Sequence, residues 1–327
     1  MLTEERRYKR KGYGLISAIA IAMSFFFLGP EFLRAVWPPI YEAIKASPWE
    51  EWKSILMIVM VWNSFWFIFS QLAMWLIYHL EHPFFERYKV NADPWPWQEN
   101  AAEWRELAKK SIKLACVNVY LVGFSYGLLM FYLTEWKVPY QLSVEDLPDW
   151  KTLMLNLTFC MICEDTAFHF FHSMLHLKPI YPLLHKIHHQ YRTTVGIAAY
   201  YQHPIEFTLG GCIATTLGPA LLGPNTHFCT VLMWYLLRTF ETMDGHCGYE
   251  FSWSPYRLIP FSTSAEYHDF HHSHNVGNYS SMFSFWDTLL GQNRVYYNYQ
   301  EQAREAIAKK QKDLAQAVSS KLAEKVE

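Results

Sequence analysis

The chain has 327 residues and a formal charge of −2, so its length permits one large or two modest domains and its charge argues against a nucleic-acid partner. Aromatic residues make up 18% and charged residues only 18%, with 14 Trp and 15 His. A mean hydropathy near zero is typical of a soluble protein, but here it averages over long uncharged runs.

Residues 12 to 30, 54 to 80, 114 to 134 and 207 to 237 carry no charge. A bilayer core of about 30 Å takes about 20 apolar residues as helix, so each run is long enough to span it. Residues 152 to 163 continue past Glu164 and Asp165 into Ala167 and Phe168, as a helix leaving the membrane at its charged end would. The run from 207 to 237 is broken by Gly210, Gly211, Pro219 and Gly223-Pro224-Asn225. Breakers in mid-run predict a helical hairpin turning at Gly223-Pro224-Asn225, with a single kinked span as the alternative.

Lys and Arg set the orientation. Arg6, Arg7, Lys9, Arg10 and Lys11 precede the first run, and Arg87, Lys89, Arg105, Lys109 and Lys110 separate the second from the third. The loops at 38 to 53 and 135 to 151 hold only two Lys each, so the N-terminus, the 81 to 110 loop and the region after the fourth run are expected to face the cytosol. The first run lacks a small-residue cleavage site, so no cleavable signal is expected. Cys160-x-x-Cys163 lies in an apolar helix without a second pair and is assigned to core packing. The Asn156-Leu157-Thr158 and Asn278-Tyr279-Ser280 sequons are discounted, the first as intramembrane and the second as cytosolic. From Gln300 the tail carries Ile307, Leu314, Val318 and Leu322 on a helical stripe and is read as a solvated helix. The expected fold is all-α and polytopic, with about four transmembrane helices, a membrane hairpin and a cytosolic helical domain bearing the histidines. Segments 1–84, 85–300 and 301–327 are its divisions.

Eight histidines fall into three boxes. His172-x-x-x-His176 puts two imidazoles on one helical face, and His185/His188/His189 and His268/His271/His272 each repeat an H-x-x-H-H pattern. Eight exceed what one ion coordinates, so the repeated pattern points to a shared two-metal site. Imidazole suits zinc, copper, iron and nickel alike. No Glu follows His172, which removes the base that a zinc protease of H-E-x-x-H type needs. Two redox ions beside a bilayer suit dioxygen activation. His79, His82, His227 and His274 are read as ordinary core or surface residues, and His169 is left open between ligand, supporting partner and neighbour.

The order and spacing of "EDTAFHFFHSMLH", "IYPLLHKIHHQY", "YYQHPIE", "HCGYEF" and "HDFHHSHNVGNYSSMFSFWDTLLG" resemble the fatty acid hydroxylase superfamily (sterol desaturase family) of membrane di-iron oxygenases, most of all its methylsterol monooxygenases. The resemblance covers about residues 85 to 300. It implies His203 and His246 as further nitrogen ligands, and Asp165 and Asp269 as carboxylates that orient ligand imidazoles. It departs from the family at Ser173, where Arg is usual, and at Tyr267, where His is common. "HCGYEFSWSPYRLIPF" and "HHSH" also resemble cholesterol 25-hydroxylase.

The implied activity is oxidation of a carbon-4 methyl of 4-methylsterols in the endoplasmic reticulum membrane, by two irons and dioxygen. No G-x-G-x-x-G nucleotide fingerprint is present, so electrons from NAD(P)H must arrive through external carriers, which the resemblance gives as cytochrome b5 and its reductase. Two rivals come from other classes. A metal transporter would carry ionisable groups within its spans, and these runs are uncharged. A catalytically silent lipid-binding protein is the other, motivated by Ser173 and Tyr267.

Overall fold

The computed structural model describes residues 14–323. Among them no strand forms, only isolated bridges such as Lys89 with Tyr249. Helices α1 (Leu15–Ala46), α2 (Glu51–Leu80) and α3 (Ala101–Leu133) are each long and apolar enough to cross a membrane, as is α5 (Pro204–Asn225). Between them runs α4 (Trp150–Leu175), and α6 (Phe228–His246) follows α5. The last three residues of α5, Gly223–Asn225, form a tight 3-10 turn, so the stretch from 207 to 237 is the hairpin that its breakers predict. The first apolar run is longer than its uncharged part, because α1 continues through Pro30, Pro38 and Pro39 to Ala46.

Large apolar side chains cover the outside of this bundle: Leu72, Leu121, Leu155 and Leu221 are 61%, 63%, 65% and 62% exposed. Water would penalise such a surface and a hydrocarbon layer does not. Inside, Trp37, Leu153, Leu157, Phe228 and Trp234 pack one core, and Trp95, Tyr78, Tyr191 and Tyr249 pack another nearer the histidines. The basic cluster from Arg6 to Lys11 lies outside the described residues.

Helix-breaking residues in α5 have identifiable partners. Pro219 cannot bond to the carbonyl of Thr215, one turn earlier. That oxygen accepts from Trp234 Nε1 at 2.7 Å instead, as membrane burial demands. Gly218 lets α5 touch α4, since a Cβ there would sit 2.6 Å from Cys160 Cα. Leucine at Gly218 should therefore push the two helices apart, cost about 1–3 kcal/mol, and lower the thermal midpoint in detergent. A π-helical stretch at Val117–Val122 turns Asn118 inward, where its Nδ2 holds the carbonyls of Tyr200 and Gln202 at 3.2 and 2.9 Å.

The end of the bundle where α2 stops and α3 starts carries the remaining elements. Tyr78 Oη donates to the Cys247 carbonyl at 2.8 Å, which fixes the end of α2 beside the end of α6. Short helices α7 (Ala265–His274) and α8 (Phe285–Leu290) pack there, followed by α9 (Arg294–Ala323). The tail from Gln300 is helical as expected, while the side chains of Leu314, Val318 and Leu322 lie outside the described set. Asn278 is buried with its Nδ2 donating to the Tyr267 carbonyl at 3.0 Å, and Asn156 Nδ2 bonds Thr226 Oγ1, so both sequon asparagines are engaged inside the fold.

Candidate metal centre

Four segments bring their histidines to this end: the close of α4, the turn around 185–190, the last residue of α6, and α7. They form two groups. His172, His176, His185, His189 and His271 make one, and His188, His246, His268 and His272 make the other, with ligand-type atoms in each group within 4.8 Å of one another. In the first, His172 Nε2 and His189 Nε2 stand 3.1 and 3.0 Å from His185 Nε2, and His176 Nε2 is 3.2 Å from His271 Nε2. In the second, His246 Nε2 and His272 Nε2 stand 2.9 and 3.2 Å from His268 Nε2.

In five of the nine rings the other ring nitrogen fixes the tautomer, so the His172–His185 contact, which joins two of them, is not an ordinary hydrogen bond. His172 Nδ1 faces the Tyr279 carbonyl at 2.8 Å, His271 Nδ1 that of Gly277 at 2.6 Å, His272 Nδ1 that of Tyr191 at 3.0 Å, and His246 Nδ1 that of Thr242 at 2.8 Å. A carbonyl only accepts, so the proton sits on Nδ1 and Nε2 presents a lone pair. His185 Nδ1 donates likewise to Glu206 Oε1 at 2.7 Å. Facing lone pairs about 3 Å apart repel unless a cation lies among them, and this donor set fits a metal ion. Burial pushes His189 down to about 4 and His176 to about 2. Burial first, and neighbouring imidazoles second, hold His188, His268, His271 and His272 well below the usual histidine range. The rings are thus neutral and available as ligands near pH 7.

Nine of the ten histidines singled out from sequence come together here, His246 among them. His203 does not. It N-caps the first turn of α5, its Nδ1 accepting from Ile205 N at 3.2 Å. That turn presents Glu206, three residues on, to His185. The motif "QHPIE" therefore contributes its glutamate to the imidazoles and its histidine to a helix start. His169 is fully buried yet outside both groups, with Nδ1 3.1 Å from Ser280 Oγ. His82 and His227 are N-caps as well.

The two aspartates expected to orient imidazoles hold backbone instead. Asp165 Oδ1 accepts from Met282 N and Phe283 N at 2.8 and 3.0 Å, and Asp269 Oδ1 accepts from Thr194 N and Oγ1 at 3.0 and 2.8 Å. A carboxylate that sequence reasoning missed is Asp287, fully buried on α8. It accepts from Tyr279 N and Ser280 N at 3.0 Å and from Tyr267 Oη at 2.7 Å. Since the Tyr279 carbonyl orients His172, Asp287 acts on that ring through one peptide unit. Tyr267 is thereby tied into the supports of the first group, and Ser173 Oγ donates back to the Phe170 carbonyl. Asp287→Asn should weaken metal retention in the first group by about 10–100-fold, with Tyr267→Phe following at the low end, measured by metal content after graded chelator exposure.

A cavity of about 260 Å³ reaches this site from within the bundle. His172, His185, His188, His246 and His268 line one end, and Thr134, Pro139 and Tyr140 the other. Along α6 its lining extends from Phe228 to His246, a rise of about 27 Å at about 1.5 Å per residue. Arg238 on this wall is held by Glu164 Oε1 and Glu241 Oε2 at 2.7 and 2.5 Å, so its buried charge is compensated.

No solved structure matches the chain significantly. The family model described as "Fatty acid hydroxylase" matches residues 157–292, which contain both histidine groups. Methylsterol monooxygenase 1 of Rattus norvegicus is 31% identical over 301 residues, covering 90% of this chain and 96% of that protein. Methylsterol monooxygenase 2-1 of Arabidopsis thaliana is 36% identical over 210 residues, covering 60% and 74%. Very-long-chain aldehyde decarbonylase GL1-8 of Oryza sativa subsp. indica is 38% identical over 184 residues, covering 55% and 65%. Similarity along nearly the whole length of a relative, together with the family model's match over residues 157–292, establishes that the chain belongs to the fatty acid hydroxylase family.

Proposed function

We propose that the chain is a di-iron monooxygenase that oxidises the carbon-4 methyl group of 4-methylsterols with dioxygen. Electrons pass from NAD(P)H through a reductase and cytochrome b5. The observation that carries this reading is the pair of histidine groups at the end of a buried cavity, with the Nδ1 protons of His172, His185, His246, His271 and His272 held outward so that their Nε2 lone pairs point inward. Long matches to methylsterol monooxygenases supply the substrate class. His172, His176, His185, His189 and His271 would hold one iron, and His188, His246, His268 and His272 the other. Bound there, the irons supply activation of dioxygen and two-electron oxidation of an unactivated C–H bond.

The chain's own residues do the positioning. The cavity walls keep bulk water from the reacting carbon and admit a long, flat, greasy substrate end-on. Thr239 and Thr242 line the cavity two turns and one turn before His246, and we assign them to the hydroxyl adjoining carbon 4. The Nδ1 contacts of His172, His185, His246, His271 and His272 hold those five imidazoles in one tautomer through successive cycles. The endoplasmic reticulum membrane is the proposed location, with the histidine end in the cytosol. Support for that orientation comes from Arg87, Lys89, Arg105, Lys109 and Lys110 on the loop between α2 and α3, at the same end as the histidines.

Incubation with a 4,4-dimethylsterol, dioxygen and reduced cytochrome b5 should yield the hydroxymethyl, formyl and carboxyl sterols in turn, each step consuming two more electrons. A product hydroxylated only on the side chain would make the protein a 25-hydroxylase-like enzyme. A new ring double bond would make it a desaturase, and cleavage of a long-chain aldehyde without sterol turnover would move it toward the decarbonylase relatives.

A further inference from the structure

Helix α6 separates two cavities. Tyr235, Arg238, Thr242 and His246 on one face line the cavity that reaches the histidines. Leu236, Phe240 and Met243 on the opposite face line a second and larger one, about 960 Å³, bounded elsewhere by α1, α2, α4 and the 251–261 and 283–286 segments. Apart from His-free walls, it differs from the first in chemistry. Its lining is overwhelmingly apolar and aromatic, no Lys or Arg contributes among the described residues, and its charged lining groups are the acids Asp165 and Asp244. Asp244 is already paired with Arg257, whose charge Glu250 shares, so a phosphate or carboxylate head placed there would find no free cation to offset it. One donor is unused: Trp66 lines this cavity, and its Nε1–H is buried without an acceptor. A buried donor in such surroundings favours a ligand that brings an oxygen.

We infer that this second cavity is a binding site for a neutral, hydroxyl-bearing membrane lipid that is not the reacting substrate. Its apolar body lies against Phe25, Phe240 and Phe283, and its hydroxyl oxygen accepts from Trp66 Nε1. The ligand enters sideways from the bilayer, since α1 and α4 on its walls also carry lipid-facing side chains such as Leu28 and Leu155. Because α6 is common to both cavities, occupancy supports the face that carries Arg238, Thr242 and His246. A sterol and a diacylglycerol both have this chemistry.

The test uses full-length protein in phosphatidylcholine nanodiscs with photoreactive sterol, diacylglycerol, fatty acid and phosphatidylcholine probes, the adducts mapped by mass spectrometry. Saturable labelling of α2 and α6 peptides around Trp66 and Phe240 by the sterol or the diacylglycerol probe is expected, and whichever labels identifies the source. Ala73→Trp, or Ala22→Trp from the other wall, should abolish that labelling while metal content and labelling around Tyr126 stay unchanged. Trp66→Phe should weaken the hydroxyl-bearing probe by about fivefold and leave its methyl ether unaffected. Preferential labelling by the fatty acid or phosphatidylcholine probe overturns the neutral-lipid assignment. Unsaturable labelling, or labelling that survives both Trp fillings, overturns the site.

Discussion

Replacing His271 with alanine is expected to remove about one of two metals per chain and to take turnover below detection. Its Nε2 meets His176 and its Nδ1–H is spent on the Gly277 carbonyl, so the lost nitrogen has no replacement nearby. His188→Ala should do the same for the other group, which it shares with His246, His268 and His272. His82, His203 and His227 provide the contrast. In each, Nδ1 accepts from the backbone N–H two residues on, the geometry of an N-cap. Alanine there should cost about 1 kcal/mol of stability and leave metal content intact. Elemental analysis of the purified variants separates the two classes. Metal loss in His203→Ala equal to that in His271→Ala would mean that His203 is a ligand after all.

Gly277→Ala is expected to be nearly as damaging without touching a ligand. Gly277 sits at φ +58, and a Cβ there would collide with the backbone oxygen of Gln292. Left-handed strain alone costs about 1–3 kcal/mol, and the collision adds to it. The carbonyl that fixes His271 belongs to this residue, so the shift should empty the first group before the protein unfolds. Metal content should fall together with the thermal midpoint in detergent. Gly245→Ala is the control: it lies beside His246 but has open space where a Cβ would go. Equal loss in both variants would show that general crowding, not the Gly277 carbonyl, is responsible.

Much of the architecture was legible because membrane helices announce themselves by length and lack of charge, and because the breakers at 223–225 fall where the hairpin turns. The histidine boxes were legible too, but not their division. On α4 and α7 residues four apart share a face, so His172 stays with His176 and His268 with His272, while the turn and 3-10 helix at 185–190 bring His185 to His189. Adjacent residues diverge: the rings of His188 and His189 are inclined at 87°, those of His271 and His272 at 86°, and each pair is split between the groups. The supporting carboxylates were harder to find. Asp165 and Asp269 lie next to boxes in sequence, yet fold onto backbone amides, while Glu206 and Asp287 reach the site from separate segments. Sequence proximity does not report which way a short acidic side chain turns. One signal was available in "HPIE", because a capping residue before Pro places a Glu in the first helical turn.

The central claim is that the five-histidine and four-histidine groups each hold one iron. Protein produced in iron-replete cells and purified without chelator, then examined by elemental analysis with X-ray absorption at the iron edge, tests it directly. The account predicts about two irons per chain with shells dominated by imidazole nitrogen, falling to about one in His271→Ala and in His188→Ala separately. A single metal per chain, or the loss of both metals from either variant with the fold retained, would contradict it.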